Sequence, residues 1–146
     1  MTFPVFEHIF SGQNLYEQTV MPVCRAYGLT YMEFTVLMFL VNNPQHDTAA
    51  QIVKIRKLTK SHVSISVKGL QSRGLLEGYY FPGNQKTLHL RVTDAAKPVV
   101  EAGLAAQKVF GDKLIRGFTE EEVNQLYGLV ERMYENMKQE ENSYAK

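Results

Sequence analysis

The chain has 146 residues, 45% hydrophobic and 21% charged, with a formal net charge of +1. That length suits one domain burying roughly 70% of the surface its unfolded form exposes, and the composition excludes the disordered and collagen-like classes. The single cysteine, Cys24, excludes an internal disulfide framework, so a reducing, cytoplasmic setting is expected. The longest apolar run, Val36 to Val41, is too short for a membrane span, and no secretory leader is expected at the N-terminus.

From Phe3 to Tyr27 apolar residues recur at helical spacing, and Pro22 predicts either one long bent helix or two. Thr30 and Glu33 form a capping-box pattern ahead of a helix that is apolar nearly all round from Phe34 to Val41, which demands cover on several sides. Asn42-Asn43-Pro44 ends that helix, and Asp47 or Thr48 can cap a short one reaching about Arg56.

Thr59 is then the expected N-cap of a helix over Lys60 to Arg73, with Gly74 at its C-terminal cap. Val63, Val67 and Leu70 make its narrow core face. The opposite face carries Ser61, Ile65, Lys68 and Ser72, flanked by His62 and Ser64. Leu75 to Phe81 and Thr87 to Thr93 read as strands around a Pro82-Gly83-Asn84 turn, hence a hairpin. A helix follows from Asp94 to about Gly117. Thr119 and Glu122 form a second capping box, opening a helix striped by Val123, Leu126, Tyr127, Val130, Met133, Tyr134 and Met137.

Charge placement carries the functional signal. No acidic residue lies between Asp47 and Glu77, whereas Lys54, Arg56, Lys57, Lys60, Lys68 and Arg73 all do. Two short helices and a turn with such a cationic bias suit a DNA groove and its flanking phosphates. Lys60, Lys68 and Lys86 are the expected phosphate or groove contacts, and Ser61, His62, Ser64 and Ile65, with Thr59 at the helix start, the expected base-reading face. An isoleucine at position 65 suits a thymine methyl and thus A·T-rich half-sites.

Phe3, Phe6 and Phe10 near one end and Val123, Leu126, Val130 and Met137 near the other supply more apolar stripe than a small reader domain covers alone, so a homodimer is expected. Such a dimer requires a near-palindromic operator in double-stranded DNA. No nucleophile, base and orienter converge in the sequence and no phosphate loop is present, so no enzyme activity and no cofactor are expected. His8, His46, His62 and His89 are scattered, and no metal site is expected. Cys24 beside Arg25 leaves a redox-sensing alternative open. Tyr27, Tyr31, Met32 and Met38 are candidates for an effector pocket, with core filling the weightier reading.

The element order resembles the winged helix-turn-helix regulators of the MarR (multiple antibiotic resistance regulator) family. Gly28-Leu29-Thr30, Leu58 to Val63, Leu70 to Leu75, Val92-Thr93 and Gly117-Phe118-Thr119 with Glu122 carry the resemblance, in order along most of the chain. It implies a mainly α fold with a small β-hairpin wing: one MarR-like domain over 1–146, with a winged helix-turn-helix part at 30–93 and a helical dimerisation part at 1–27 and 94–146. It also implies a repressor modulated by a small-molecule effector. In the wing, Asn84 and Lys86 stand where that family usually carries Asp-x-Arg. A winged-helix module for protein or RNA interaction is the other reading that these residues permit.

Overall fold

A computed structural model describes residues 5–144, with only the backbone described for Val5 and Phe6. Helix α1, Val5–Tyr27, runs unbroken through Pro22, so the segment forms one helix and not two. The box predicted at Thr30 closes: its hydroxyl accepts the Glu33 N–H at 3.0 Å, and the Glu33 carboxylate accepts the Thr30 N–H at 3.0 Å. It opens α2, Tyr31–Asn42, in which every residue from Phe34 to Leu40 is buried. The all-round apolar helix is thus the centre of the core, with Val20, Ile52, Val63, Leu70 and Val99 packed into the same cluster.

Of the two candidate caps for α3, Ala49–Arg56, Thr48 takes the position, in a box with Gln51. Asp47 is thereby left for another task. Helix α4, Lys60–Ser72, is capped by Thr59, whose hydroxyl accepts the His62 N–H at 3.2 Å. Beyond its C-terminus Gly74 has φ +70, and the Leu75 N–H reaches back to the Leu70 carbonyl at 2.9 Å. A side chain at Gly74 would strain that left-handed turn, which redirects the chain from α4 into the hairpin.

The hairpin pairs β1, Leu76–Phe81, with β2, Asn84–Val92, antiparallel. The second strand starts three residues earlier than the alternation predicts. Asn84 pairs with Phe81 across the Pro82-Gly83 turn, and the register shifts between the Tyr79 and Phe81 pairs to absorb the difference. Leu76 and Leu90 bury the root of the hairpin. After a 3-10 turn, Asp94–Ala96, comes α5, Lys97–Leu114, with Pro98 tolerated in its first turn. Gly103 permits a close approach to α2, since a Cβ there would lie 2.7 Å from the Met38 Sδ and 3.1 Å from a Phe34 ring carbon.

By internal contacts the chain divides into two compact units, Met1–Phe110 and Gly111–Lys146, with the division inside α5. The second unit contains α6, Glu120–Tyr144, opened by the predicted Thr119–Glu122 box. No residue of α6 is buried, and Leu126, Leu129, Val130, Met133 and Met137 stand exposed along it. Among the described residues no helix is long and apolar enough to cross a membrane.

Candidate nucleic-acid interface

Helix α4 sorts its residues by face. Val63, Val67 and Leu70 are buried, which seats the rod, while Thr59, Lys60, Ser61, His62, Ser64, Ile65 and Lys68 are all exposed. Ile65 stands 67% exposed in the middle of that outward surface. An isolated β-branched apolar side chain among hydroxyls and lysines gains nothing from water, but fits apolar contact in a groove. The Thr59 hydroxyl accepts the cap bond and is left with its own O–H to donate.

The cationic window is narrower than its composition suggests. Arg73 donates from Nη1 to the Gly28 carbonyl at 2.7 Å and from Nη2 to the Tyr27 carbonyl at 2.5 Å, tying the end of α4 to the end of α1. A guanidinium fork satisfies two C-terminal carbonyls that a lysine would not. Arg56 borders a groove described below, and Lys57 closes α3 in a left-handed conformation, φ 53. Lys54, Arg56, Lys57, Lys60 and Lys68 are all exposed on the helix-turn-helix.

In the wing, Lys86 is exposed near the tip. The Asn84 side chain turns inward: its Oδ1 accepts the N–H of Lys86 at 3.0 Å and of Thr87 at 3.3 Å. Asn84 therefore shapes the turn that presents Lys86, while itself remaining exposed. Arg91 is engaged with Glu77 at 2.8 Å and lies over the Tyr79 ring at 5.2 Å.

Sequence reasoning missed the anchor beneath the wing. The Asp47 carboxylate accepts the Tyr79 hydroxyl at 2.8 Å and pairs with the His89 Nδ1 at 2.8 Å. Its backbone carbonyl accepts the Leu90 N–H at 2.7 Å, and Thr48 bridges to His89. Burial pushes the Asp47 carboxyl up, but the hydrogen bonds from His89 and Tyr79 outweigh it and hold the group below its ordinary value. The Tyr79 phenol is correspondingly raised by its bond to that carboxylate. Tyr79 and His89 share a face through the cross-strand register, which alternation within each strand does not give. The acidic partner lies 32 residues or more away in the chain.

Of the expected dimerisation residues, Phe3 and the Phe6 side chain lie outside the described residues. Phe10 is exposed, Val123 is half-buried, and Leu126, Val130 and Met137 are exposed. Cys24 is wholly buried and burial raises its pKa, the reverse of the exposed, acidified thiol that oxidant sensing needs. Among the described residues no three His, Cys, Asp or Glu side chains converge on a metal position.

A groove of about 770 Å³ is lined by Phe10, Tyr16, Glu17, Tyr31, Ile55, Arg56, Leu58 and Phe110, among others. It shares Tyr16, Ile55 and Arg56 with a hollow of about 270 Å³ that reaches Met38, Asn42 and Gln107. Gln107 donates to the Tyr16 hydroxyl at 2.8 Å and accepts from Asn42 at 3.0 Å, which fixes this wall. Among the four residues proposed for an effector pocket, Tyr31 borders the groove and Met38 is mostly core; Tyr27 and Met32 do not line either space.

Three solved structures show how widely this arrangement recurs. A Listeria monocytogenes protein complexed with 26mer DNA matches with a TM-score of 0.79 at 18% identity, over 96% of this chain and 92% of that one. A MarR family transcriptional regulator from Silicibacter pomeroyi matches at 0.78 and 18%, over 91% and 89%. MepR of S. aureus, solved as a DNA complex, matches at 0.70 and 18%, over 93% and 96%. Those identities show a shared fold. The sequence of residues 27–78 independently matches the MarR family model. The matched segment is similar to the MarR family over about a third of the chain; it runs from the end of α1 into β1 and contains the whole of α4. The wing tip, with Asn84 and Lys86, falls outside it. No curated protein matches the chain.

Proposed function

We propose that this protein is a DNA-binding transcriptional regulator of MarR type, a cytoplasmic homodimeric repressor whose operator is near-palindromic double-stranded DNA. The observation that carries the reading is the division of α4 into a buried Val63–Val67–Leu70 seat and an exposed Ser61–His62–Ser64–Ile65–Lys68 face. In this reading α4 lies in the major groove, Lys60 and Lys68 neutralise phosphates, and Lys86 reaches from the wing to the backbone or a narrow minor groove. The Listeria and S. aureus proteins, which share the fold, were solved as DNA complexes, which supports DNA binding here.

The part at 30–93 reads DNA, and the flanking parts at 1–27 and 94–146 pair the protomers. The exposed apolar stripe of α6, with Phe10, supports the pairing. A small molecule held beside Tyr31 and Arg56 would modulate binding, because that groove is walled by α1, α2, α3 and α5 and so couples the reading half to the pairing half. Such an effector acts only through differential affinity; a tenfold preference for the non-binding conformation contributes about 1.4 kcal/mol.

The test is fluorescence anisotropy of the protein with its own upstream intergenic DNA across a salt series. A sequence-selective complex weakened by Lys68→Ala and by Lys86→Ala, together with a dimer in sedimentation equilibrium, is expected. A protein- or RNA-interaction module would show neither selectivity nor dependence on those lysines.

A further inference from the structure

A two-stranded hairpin is at best marginally stable alone in water. Here only the root of the hairpin is buried, through Leu76 and Leu90, while Tyr80, Phe81 and Leu88 nearer the tip are exposed. Something must therefore hold the middle of the wing, and one residue outside it reaches both strands there. We propose that Asp47 is the positioning residue of the wing, fixing the angle at which Lys86 is presented to DNA.

Asp47 lies between α2 and α3, directly before the Thr48 cap of the first helix of the helix-turn-helix. One carboxylate oxygen takes the Tyr79 hydroxyl of β1 and the other takes the His89 Nδ1 of β2, each at 2.8 Å. Its main chain adds the Leu90 N–H at 2.7 Å on one side and donates to Gln51 Oε1 at 3.0 Å on the other. The wing is thus bolted at its middle pair to the frame that carries α4. Tyr79 and His89 are cross-strand partners, so a single acceptor between them also fixes the local register.

The rings add stiffness. Phe81 meets His89 edge-on at 4.3 Å and Tyr79 at 5.6 Å, while Arg91 covers the Tyr79 face. A carboxylate suits this position because it accepts from two donors at once; an amide there can accept from only one side. His89 must carry its proton on Nδ1 to donate, and the carboxylate selects that tautomer. Lys86 precedes His89 by three residues on the same strand, inside the irregular stretch between the Asn84 and His89 pairs, so the His89 pair that Asp47 holds is one of the two ends that fix its direction.

The functional consequence rests on the DNA-binding reading, and the test separates the two. Hydrogen exchange of residues 79–90 is compared between the unaltered protein and Asp47→Ala, with His89→Phe as a second variant that keeps an aromatic body. The Thr48–Gln51 box survives both changes, so α3 keeps its cap. Faster exchange confined to the wing, with α4 unchanged, is expected. Unchanged wing exchange in both variants overturns the proposal whether or not the protein binds DNA. In salt-series binding, Lys86→Ala flattens the log–log slope by about 0.9 for each wing that contacts a phosphate. That effect should vanish in the Asp47→Ala background, whereas the effect of Lys68→Ala should persist there. Equal effects of Lys86→Ala in both backgrounds overturn the positioning role, and salt-independent binding by the unaltered protein overturns the DNA reading while leaving the exchange result to decide the role of Asp47.

Discussion

Leu70→Ala and Lys68→Ala, two residues apart on one helix, should do opposite things. Leu70 is wholly buried in the cluster shared by α2 and α4. Truncation removes three carbons' worth of apolar contact, about 2.4 kcal/mol by transfer alone at ~0.8 kcal/mol per methylene, and a residual cavity raises the cost to about 3–5 kcal/mol. Against a total stability of order 5–15 kcal/mol, that is a large share. Lys68 is exposed on the other face, so its truncation should alter stability by less than about 0.5 kcal/mol. Urea unfolding followed by circular dichroism, at fixed protein concentration because dimerisation would contribute to the midpoint, measures both. Anisotropy at low urea then reads DNA affinity, which Lys68→Ala weakens while the fold stays intact. A Leu70→Ala cost below about 1 kcal/mol, or a Lys68→Ala cost above it, would show that α4 is not seated by the face described, and the docking argument would fail with it.

Cys24 should react with iodoacetamide at pH 8 far more slowly in the folded protein than in urea, because burial both shields the thiol and raises its pKa. Peroxide should leave operator affinity unchanged, and a release abolished by Cys24→Ser would restore the redox reading. The Asp47 carboxyl is held below its ordinary value of 3.8, so its contribution to stability is present above that pH and is lost as pH falls through the lower folded-state value. The acid limb of the urea midpoint should therefore be shallower in Asp47→Asn, and an identical limb would refute the linkage. With Lys54, Arg56, Lys57, Lys60, Lys68 and Lys86 exposed in each protomer, the log–log salt slope of a dimer should not be steeper than about −11. A steeper slope would mean that Arg91 or cations of the flanking helices also meet phosphates.

Local rules were enough wherever the partners were close in sequence. The Thr30–Glu33 and Thr119–Glu122 boxes, the Thr59 cap, the Gly74 turn and the inward triplet of α4 depend on neighbours three to seven residues away, and periodicity exposes them. The start of β2 was misplaced because alternation cannot register a shift between two strands. Asp47 escaped for a related reason. Next to Thr48 it is chemically an equal candidate for the α3 cap, and only the fold shows that the hydroxyl takes that place and leaves the carboxylate for Tyr79 and His89.

The same limit governs the cations, and it bears on function. A count over positions 48–76 treats every arginine and lysine as equally available, yet Arg73 has a structural place. It spans the Tyr27 and Gly28 carbonyls at the end of α1. The wing repeats the pattern, with Arg91 held by Glu77 and Tyr79 while Lys86 stays exposed. A planar fork gains most where two acceptors are fixed, which is inside a fold, whereas a flexible ammonium loses least when it waits in solvent for a phosphate. With Arg73 and Arg91 engaged inside the fold, the proposed interface would meet DNA largely through lysines, which would favour backbone neutralisation over bidentate guanine contacts and would leave sequence selection to Ser61, His62, Ser64 and Ile65.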